Sequence, residues 1–123
     1  MLIRAERGGR GLDAIIDDDA DLSIAAVTIA ELLVGVEAAT GRRRALRKAF
    51  IEDLVSVIPI EPYDLDIARV HATLLAATRE EGRTRGAHDL IIAATAAARN
   101  RFVVTDDRTG FEGLPGVDVR SIS

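Results

Sequence analysis

The chain has 123 residues, 48% apolar and 29% charged, which suits one globular domain with a real core and excludes a disordered protein. Aromatics make up 3% and cysteine is absent, so Ala, Val, Leu and Ile must build the core, and disulfide frameworks and thiolate metal sites are excluded. A net charge of −4 excludes a protein that coats nucleic acid by bulk charge, but not an enzyme that touches a few phosphates through a local basic patch.

His71 and His88 are the only imidazoles, which argues against a zinc site. No apolar run is long enough to span a bilayer, and the start, Met1 to Arg7, is too charged and too short for a signal peptide. A cytoplasmic protein without a membrane partner is expected.

In chain order, Met1 to Arg7 reads as the end of one element running into another, broken at Gly8-Gly9-Arg10-Gly11. Leu12 to Asp17 reads as a short helix and Asp17-Asp18-Asp19-Ala20-Asp21 as a polar, solvated loop. A buried strand is expected over Leu22 to Val27, then a helix from Ile29 to about Ala39, ended by Gly41. Arg42 to Leu54 reads as a second helix with a basic start, and Val55 to Ile60 as a strand. Pro62 suits the first position of the next helix, which runs to about Glu81 with Leu65, Ala68, Ala72, Leu75 and Ala76 inward, and Gly82 stops it.

The stretch Gly86 to Ala98 is apolar on every side, as in a fully buried helix. Phe102 to Thr105 reads as a strand followed at once by Asp106-Asp107, and Val117 to Ile122 as the last strand. Alternating strands and helices predict an α/β fold, one domain over residues 1–123, with a mostly parallel central sheet between helices. No complete strand precedes Met1-Leu2-Ile3.

Three carboxylates stand where such a fold gathers chemistry, outside the carboxyl ends of its strands. Asp89 is in the first turn of the buried helix, where the dipole favours a negative charge. Glu31 follows the first full strand, and Asp107 follows the strand at Phe102. Each has a plainer reading. Asp89 can be a helix cap, Thr28 and Glu31 have the form of a capping box, and Asp106-Asp107-Arg108 can be a turn. Together they present oxygen ligands without thiolate or histidine-rich chemistry, which suits Mg²⁺ or Mn²⁺. Clustered carboxylates repel one another unless a cation neutralises them, and such an ion activates water and stabilises phosphate charge.

Thr28-x-x-Glu31-Leu32-x-x-Gly35, Gly86-x-x-Asp89-Leu90-Ile91-Ile92-Ala93-Ala94 and Val104-Thr105-x-Asp107-x-x-x-Phe111, in this order, resemble the PIN-domain ribonucleases, and most closely the VapC toxins of bacterial toxin–antitoxin pairs. The resemblance covers essentially the whole chain. It implies a PIN-like (Rossmann-like) α/β/α sandwich and a Mg²⁺- or Mn²⁺-dependent endoribonuclease restrained by a VapB-like antitoxin. Glu31, Asp89 and Asp107 match three of the family's acidic positions, implied to be both metal ligands and catalytic, and Thr105 matches the hydroxyl residue beside the last. Two departures stand out. Gly110 occupies a position where many relatives carry Asp. The family's first acid, which ends its first strand in a pattern like Asp-Thr-Ser-Val-Leu-Ile, has no counterpart, so the first strand reads as truncated. The pattern places Val before Leu-Ile, and GUG encodes Val internally but Met at a start. Met1 is therefore expected to be an internal position, with an Asp shortly upstream.

Arg42-Arg43-Arg44 with Arg47 and Lys48 form the densest basic patch, readable as a solvated helix face or as phosphate contacts. Arg83 and Arg85, nearer Asp89, are the better candidates for guiding RNA. The resemblance also implies a homodimer. The helices at Ile29 to Ala39 and Arg42 to Leu54 are expected to form the groove for an antitoxin helix, with Leu32, Leu33 and Val36 as anchors. Two other functions compete: an inactive PIN-fold module that only binds its antitoxin, and a phospho-acceptor domain. The latter wants a Lys after a late strand, and the only Lys is Lys48.

Overall fold

The computed structural model describes residues 2–3, 22–105 and 107–121. The expected break at Gly8 to Gly11, the helix at Leu12 to Asp17, the acidic loop to Asp21, Asp106 and the end of the last strand at Ile122 lie outside the described residues. Five strands form one sheet: β1 (Leu2–Ile3), β2 (Ser23–Ala25), β3 (Ile60–Glu61), β4 (Val103–Val104) and β5 (Val119–Arg120). Their order is β3-β2-β1-β4-β5, and every neighbouring pair is parallel. The expectation of a parallel α/β sheet is met. Among the described residues β1 holds the centre of the sheet.

Four described helices cover the sheet: α1 (Ala26–Ala38), α2 (Gly41–Val57), α3 (Leu65–Glu81) and α4 (Ala87–Ala98). The period of two along each strand sorts the core into layers. Ile24 and Val104 pack with Leu22, Leu54 and Ile58 under α1 and α2. Ala25 and Val103 pack with Ile67, Leu74 and the buried residues of α4. As expected, α4 is buried, with Leu90, Ile92, Ala93, Ala94 and Ala96 all inside. The hydroxyl of its buried Thr95 donates to the Ile91 carbonyl at 2.7 Å, so it costs the core no unpaired group.

Several boundaries differ from expectation, each for a local reason. The first half of the strand expected over Val55 to Ile60 is helix, because Ile51, Leu54 and Ile58 repeat at helical spacing and are buried while Val55 and Val57 face outward, and only Ile60 is in β3. Burial on one face overrides the β preference of valine. Helix α3 begins after Asp64 rather than at Pro62, because the Asp64 carboxylate accepts the Ile67 N–H at 3.0 Å and caps the helix. Its buried face is Ile67, Leu74 and Thr78, with Val70 and Leu75 half-buried. Leu65 is instead 65% exposed, and Ala72 and Ala76 also face solvent. Gly82 ends α3 as expected, in the left-handed region at φ 71°. Asp64 also pairs with Arg99, which reaches Glu61 at 3.3 Å, and Arg101 meets the same carboxylate at 3.5 Å. This network ties the end of β3 and the start of α3 to the segment between α4 and β4.

Candidate active site

The strand order places a reversal of chain progression between β1 and β4, from which the sheet grows outward in both directions. In open parallel sheets the crevice at the carboxyl ends beside such a reversal is where ligands bind. Residues Thr105 to Glu112 leave the carboxyl end of β4. The Thr105 side chain is fully buried, and its Oγ1 accepts the Asp107 N–H at 3.1 Å and donates to the Asp107 carbonyl at 3.2 Å. Asp107 in turn accepts the Thr109 N–H at Oδ1, 3.1 Å away. The turn reading of Asp107 therefore holds, and its side chain remains exposed. Phe111, buried in the core beneath α4, anchors the far end of the loop.

Asp89 lies in the first turn of α4, as expected. The Asp107 loop presses against it. A Cβ built on Gly110 would lie 2.3 Å from Asp89 Oδ2, and one on Gly86 would lie 3.3 Å from the same oxygen. The two glycines let backbone approach the carboxylate from both sides. A side chain at 110 would have to displace the Asp89 carboxylate.

Glu31 is not at a helix start. Helix α1 begins at Ala26, with Ala25 as N-cap, so Glu31 falls in its second turn and the capping box is not formed. The Thr28 hydroxyl is buried without a hydrogen-bond partner among the described residues. Glu31 is instead tied to the site by His88, whose Nδ1 stands 3.4 Å from Glu31 Oε2. Thus α1, α4 and the β4 loop meet around the first turn of α4, although no three acidic or imidazole groups among the described residues stand close enough to hold one ion.

The basic residues are largely occupied. The Arg85 side chain is buried, donates to the carbonyls of Gly110 at 3.2 Å and Glu112 at 2.7 Å, and lies 3.6 Å from Glu81. It is no free guide for RNA. Arg83 reaches the Thr109 carbonyl at 3.4 Å. Arg47 binds the Gly35 carbonyl at 2.8 Å, joining α2 to α1, and Arg44 pairs with Glu37. Arg42, Arg43 and Lys48 remain exposed on α2. Lys48 follows no strand, which removes the phospho-acceptor reading. Sequence reasoning missed His88 and the loop-holding role of Arg85. His88 is adjacent to Asp89, and Arg85 lies four residues after Glu81, so both signals were present but local.

The PIN domain family model matches residues 1–116. The chain belongs to the PIN-domain family. Among curated relatives, Ribonuclease VapC5 of Mycobacterium tuberculosis is 40% identical over 119 residues, covering 94% of this PIN-domain chain and 86% of the relative. VapC ribonuclease Y4jK of Sinorhizobium fredii is 36% identical over 104 residues, covering 80% and 72%. The crystal structure of VapBC-5 from Mycobacterium tuberculosis superposes with a TM-score of 0.73 at 37% identity, over 81% of each chain. DNA-bound VapBC from Salmonella typhimurium gives a TM-score of 0.86 at 21% identity, over 99% and 97%, which shows the shared fold. No helix among the described residues is long and apolar enough to cross a membrane.

Proposed function

We propose that this PIN-domain chain is the toxin of a VapBC-type pair, an endoribonuclease that hydrolyses RNA phosphodiester bonds in the cytoplasm with Mg²⁺ or Mn²⁺. The observation that carries this reading is the meeting of the Asp89 turn with the Asp107 loop at the carboxyl end of β4. The donor set suits a hard divalent ion: carboxylate oxygens, no thiol in the chain, and two glycines whose backbone comes close to the Asp89 carboxylate. Asp89, Asp107 and Glu31 are the carboxylates we assign to the ion, which would have to draw them closer than they stand here and would supply charge stabilisation at the scissile phosphate and a more acidic water. The rest falls to the chain. Thr105, buried at the end of β4, fixes the backbone of Asp107 through both its hydrogen bonds. The N-terminal dipole of α4 favours the ionised form of Asp89. His88 keeps Glu31 directed toward α4.

An antitoxin of the VapB kind is the partner. Its expected anchors need revision, since Val36 is buried and Leu32 half-buried in this chain. Leu33 and Val34 on α1 and Leu46 near the start of α2 are among the large apolar side chains left exposed there. They suit an amphipathic antitoxin helix, and a basic antitoxin residue would neutralise the acidic site. Homodimerisation, implied by the family resemblance, belongs to the same proposal.

A second reading, an antitoxin-binding module without catalysis, draws on the absence of a closed three-residue ligand set among the described residues. The purified chain, freed of antitoxin, separates the two. RNA cleavage that needs Mn²⁺ or Mg²⁺ and stops with chelator supports the nuclease. Antitoxin binding without cleavage under any divalent ion supports the module.

A further inference from the structure

We infer that Arg85 is a positioning residue that sets the distance between the Asp107 loop and Asp89, and so the affinity of the site for its divalent ion. The inference rests on the metal-dependent ribonuclease reading above.

The sequence places Arg85 in the segment Gly82 to Gly86 between α3 and α4, where a long cation would ordinarily extend into water. Its side chain is instead 1% exposed. One guanidinium nitrogen donates to the Gly110 carbonyl and the other to the Glu112 carbonyl, at 3.2 and 2.7 Å. Two carbonyls two residues apart are thus gripped by one rigid planar fork, which a lysine cannot reproduce. Gly110 is the residue whose backbone abuts Asp89 Oδ2. The fork therefore acts on the contact between the loop that carries Asp107 and the helix turn that carries Asp89.

The energetics point the same way. Burying a guanidinium is costly unless it is well paired. Here the carboxylate partner, Glu81, is 3.6 Å away and 42% exposed, and the Arg85 Nε is buried with no hydrogen-bond partner among the described residues. A residue selected only for stability would be better replaced by an apolar side chain. What the arginine supplies is geometry: it fixes a polar loop, with few core contacts other than Phe111 and Leu114, against the first turn of α4.

The test uses the full chain with Arg85→Lys and Arg85→Ala, and Gly110→Ala as an independent variant that leaves the fork intact but forces a Cβ toward Asp89. Mn²⁺ affinity is read by calorimetry, folding by circular dichroism, and RNA cleavage as kcat and KM. Mn²⁺ affinity is expected to fall roughly 10- to 100-fold in folded Arg85→Lys and in Gly110→Ala. kcat falls with it and KM for RNA stays within about twofold of wild type. Millimolar guanidinium should restore Mn²⁺ affinity to Arg85→Ala and not to Gly110→Ala. Unchanged Mn²⁺ affinity in folded Arg85→Lys overturns the inference. So does a rise in KM at constant kcat, which would make Arg85 a phosphate contact. If Arg85 variants do not fold, Gly110→Ala decides: wild-type Mn²⁺ affinity there rejects the coupling. Failure of the wild-type chain to bind Mn²⁺ or cut RNA would defeat the nuclease reading instead. Amide exchange at residues 108–113 would then judge the clamp alone, with unaltered protection in Arg85→Lys rejecting it.

Discussion

Glu31 on α1 reaches His88 on α4, with Oε2 3.4 Å from Nδ1. The two side chains keep 36% and 55% of their surface in solvent, so the pair contributes at most about 1 kcal/mol to stability. Its value is directional, joining the acid of one helix to the residue beside the acid of another. Glu31→Gln should therefore leave the thermal midpoint almost unchanged while lowering divalent-dependent RNA cleavage by about 10- to 100-fold. Parallel melting and cleavage assays check this, and full activity in the variant would remove Glu31 from the site.

Asp89 has two roles to separate, helix-dipole partner and metal ligand. As a dipole partner alone it is worth about 0.3–1 kcal/mol. Asp89→Asn should leave the fold intact and should weaken Mn²⁺ binding strongly. Calorimetry showing the same Mn²⁺ affinity in variant and wild type would leave Asp89 with the dipole role only.

Much of this was legible beforehand, and the misses have physical causes. The buried α4 was plain because no polar stripe interrupts Leu90 to Ala98, and Asp89 stood out as the single acid at its start. The sheet followed from strand–helix alternation. The end of α2 was misread because Val55 and Val57 have β-branched side chains, whereas the deciding information was the spacing of Ile51, Leu54 and Ile58. Thr28 was misread as a cap because a sequence pattern cannot show that the chain turns helical already at Ala26. Contacts such as Glu31 to His88 and Arg85 to Gly110 join residues far apart in the chain, and no periodicity reports them.

Phe111 couples the site to the core. It is 1% exposed and sits beneath α4 at the end of the Asp107 loop. Phe111→Ala should destabilise the chain by about 3–5 kcal/mol. Set against a typical total of about 5–15 kcal/mol, that is a large share. Urea unfolding should show the loss as a lower midpoint.

Asp64 gives the fold an acid-sensitive joint. The Ile67 N–H and then the Arg99 guanidinium hold its carboxyl below the ordinary carboxylate range. A depressed pKa stabilises the fold fully above the unfolded-state value, near pH 4, and the contribution disappears as pH falls through the folded-state value. Wild type should accordingly be more stable than Asp64→Asn at neutral pH, with the gap closing below about pH 4. A pH-independent difference in melting midpoint would contradict this.

The antitoxin surface is tested by charge. Val34 is 66% exposed and Leu33 44%, so neither supports the core. Leu33→Asp combined with Val34→Asp should preserve folding and RNA cleavage but reduce co-purification with the antitoxin sharply. Retained antitoxin binding would place the docking surface elsewhere.

The central strand has a consequence for how the protein is made. β1 pairs with β4 in the register Leu2 to Val103, partners about a hundred residues apart in the chain. Each pairing of that span carries the entropy of closing nearly the entire polypeptide, and folding is slow when such contacts dominate. While the ribosome still holds the segment from β4 onward, Asp89 can already be in a helix, but the sheet edge that brings the Asp107 loop to it does not exist. The acidic centre therefore forms only once β4 has joined the sheet.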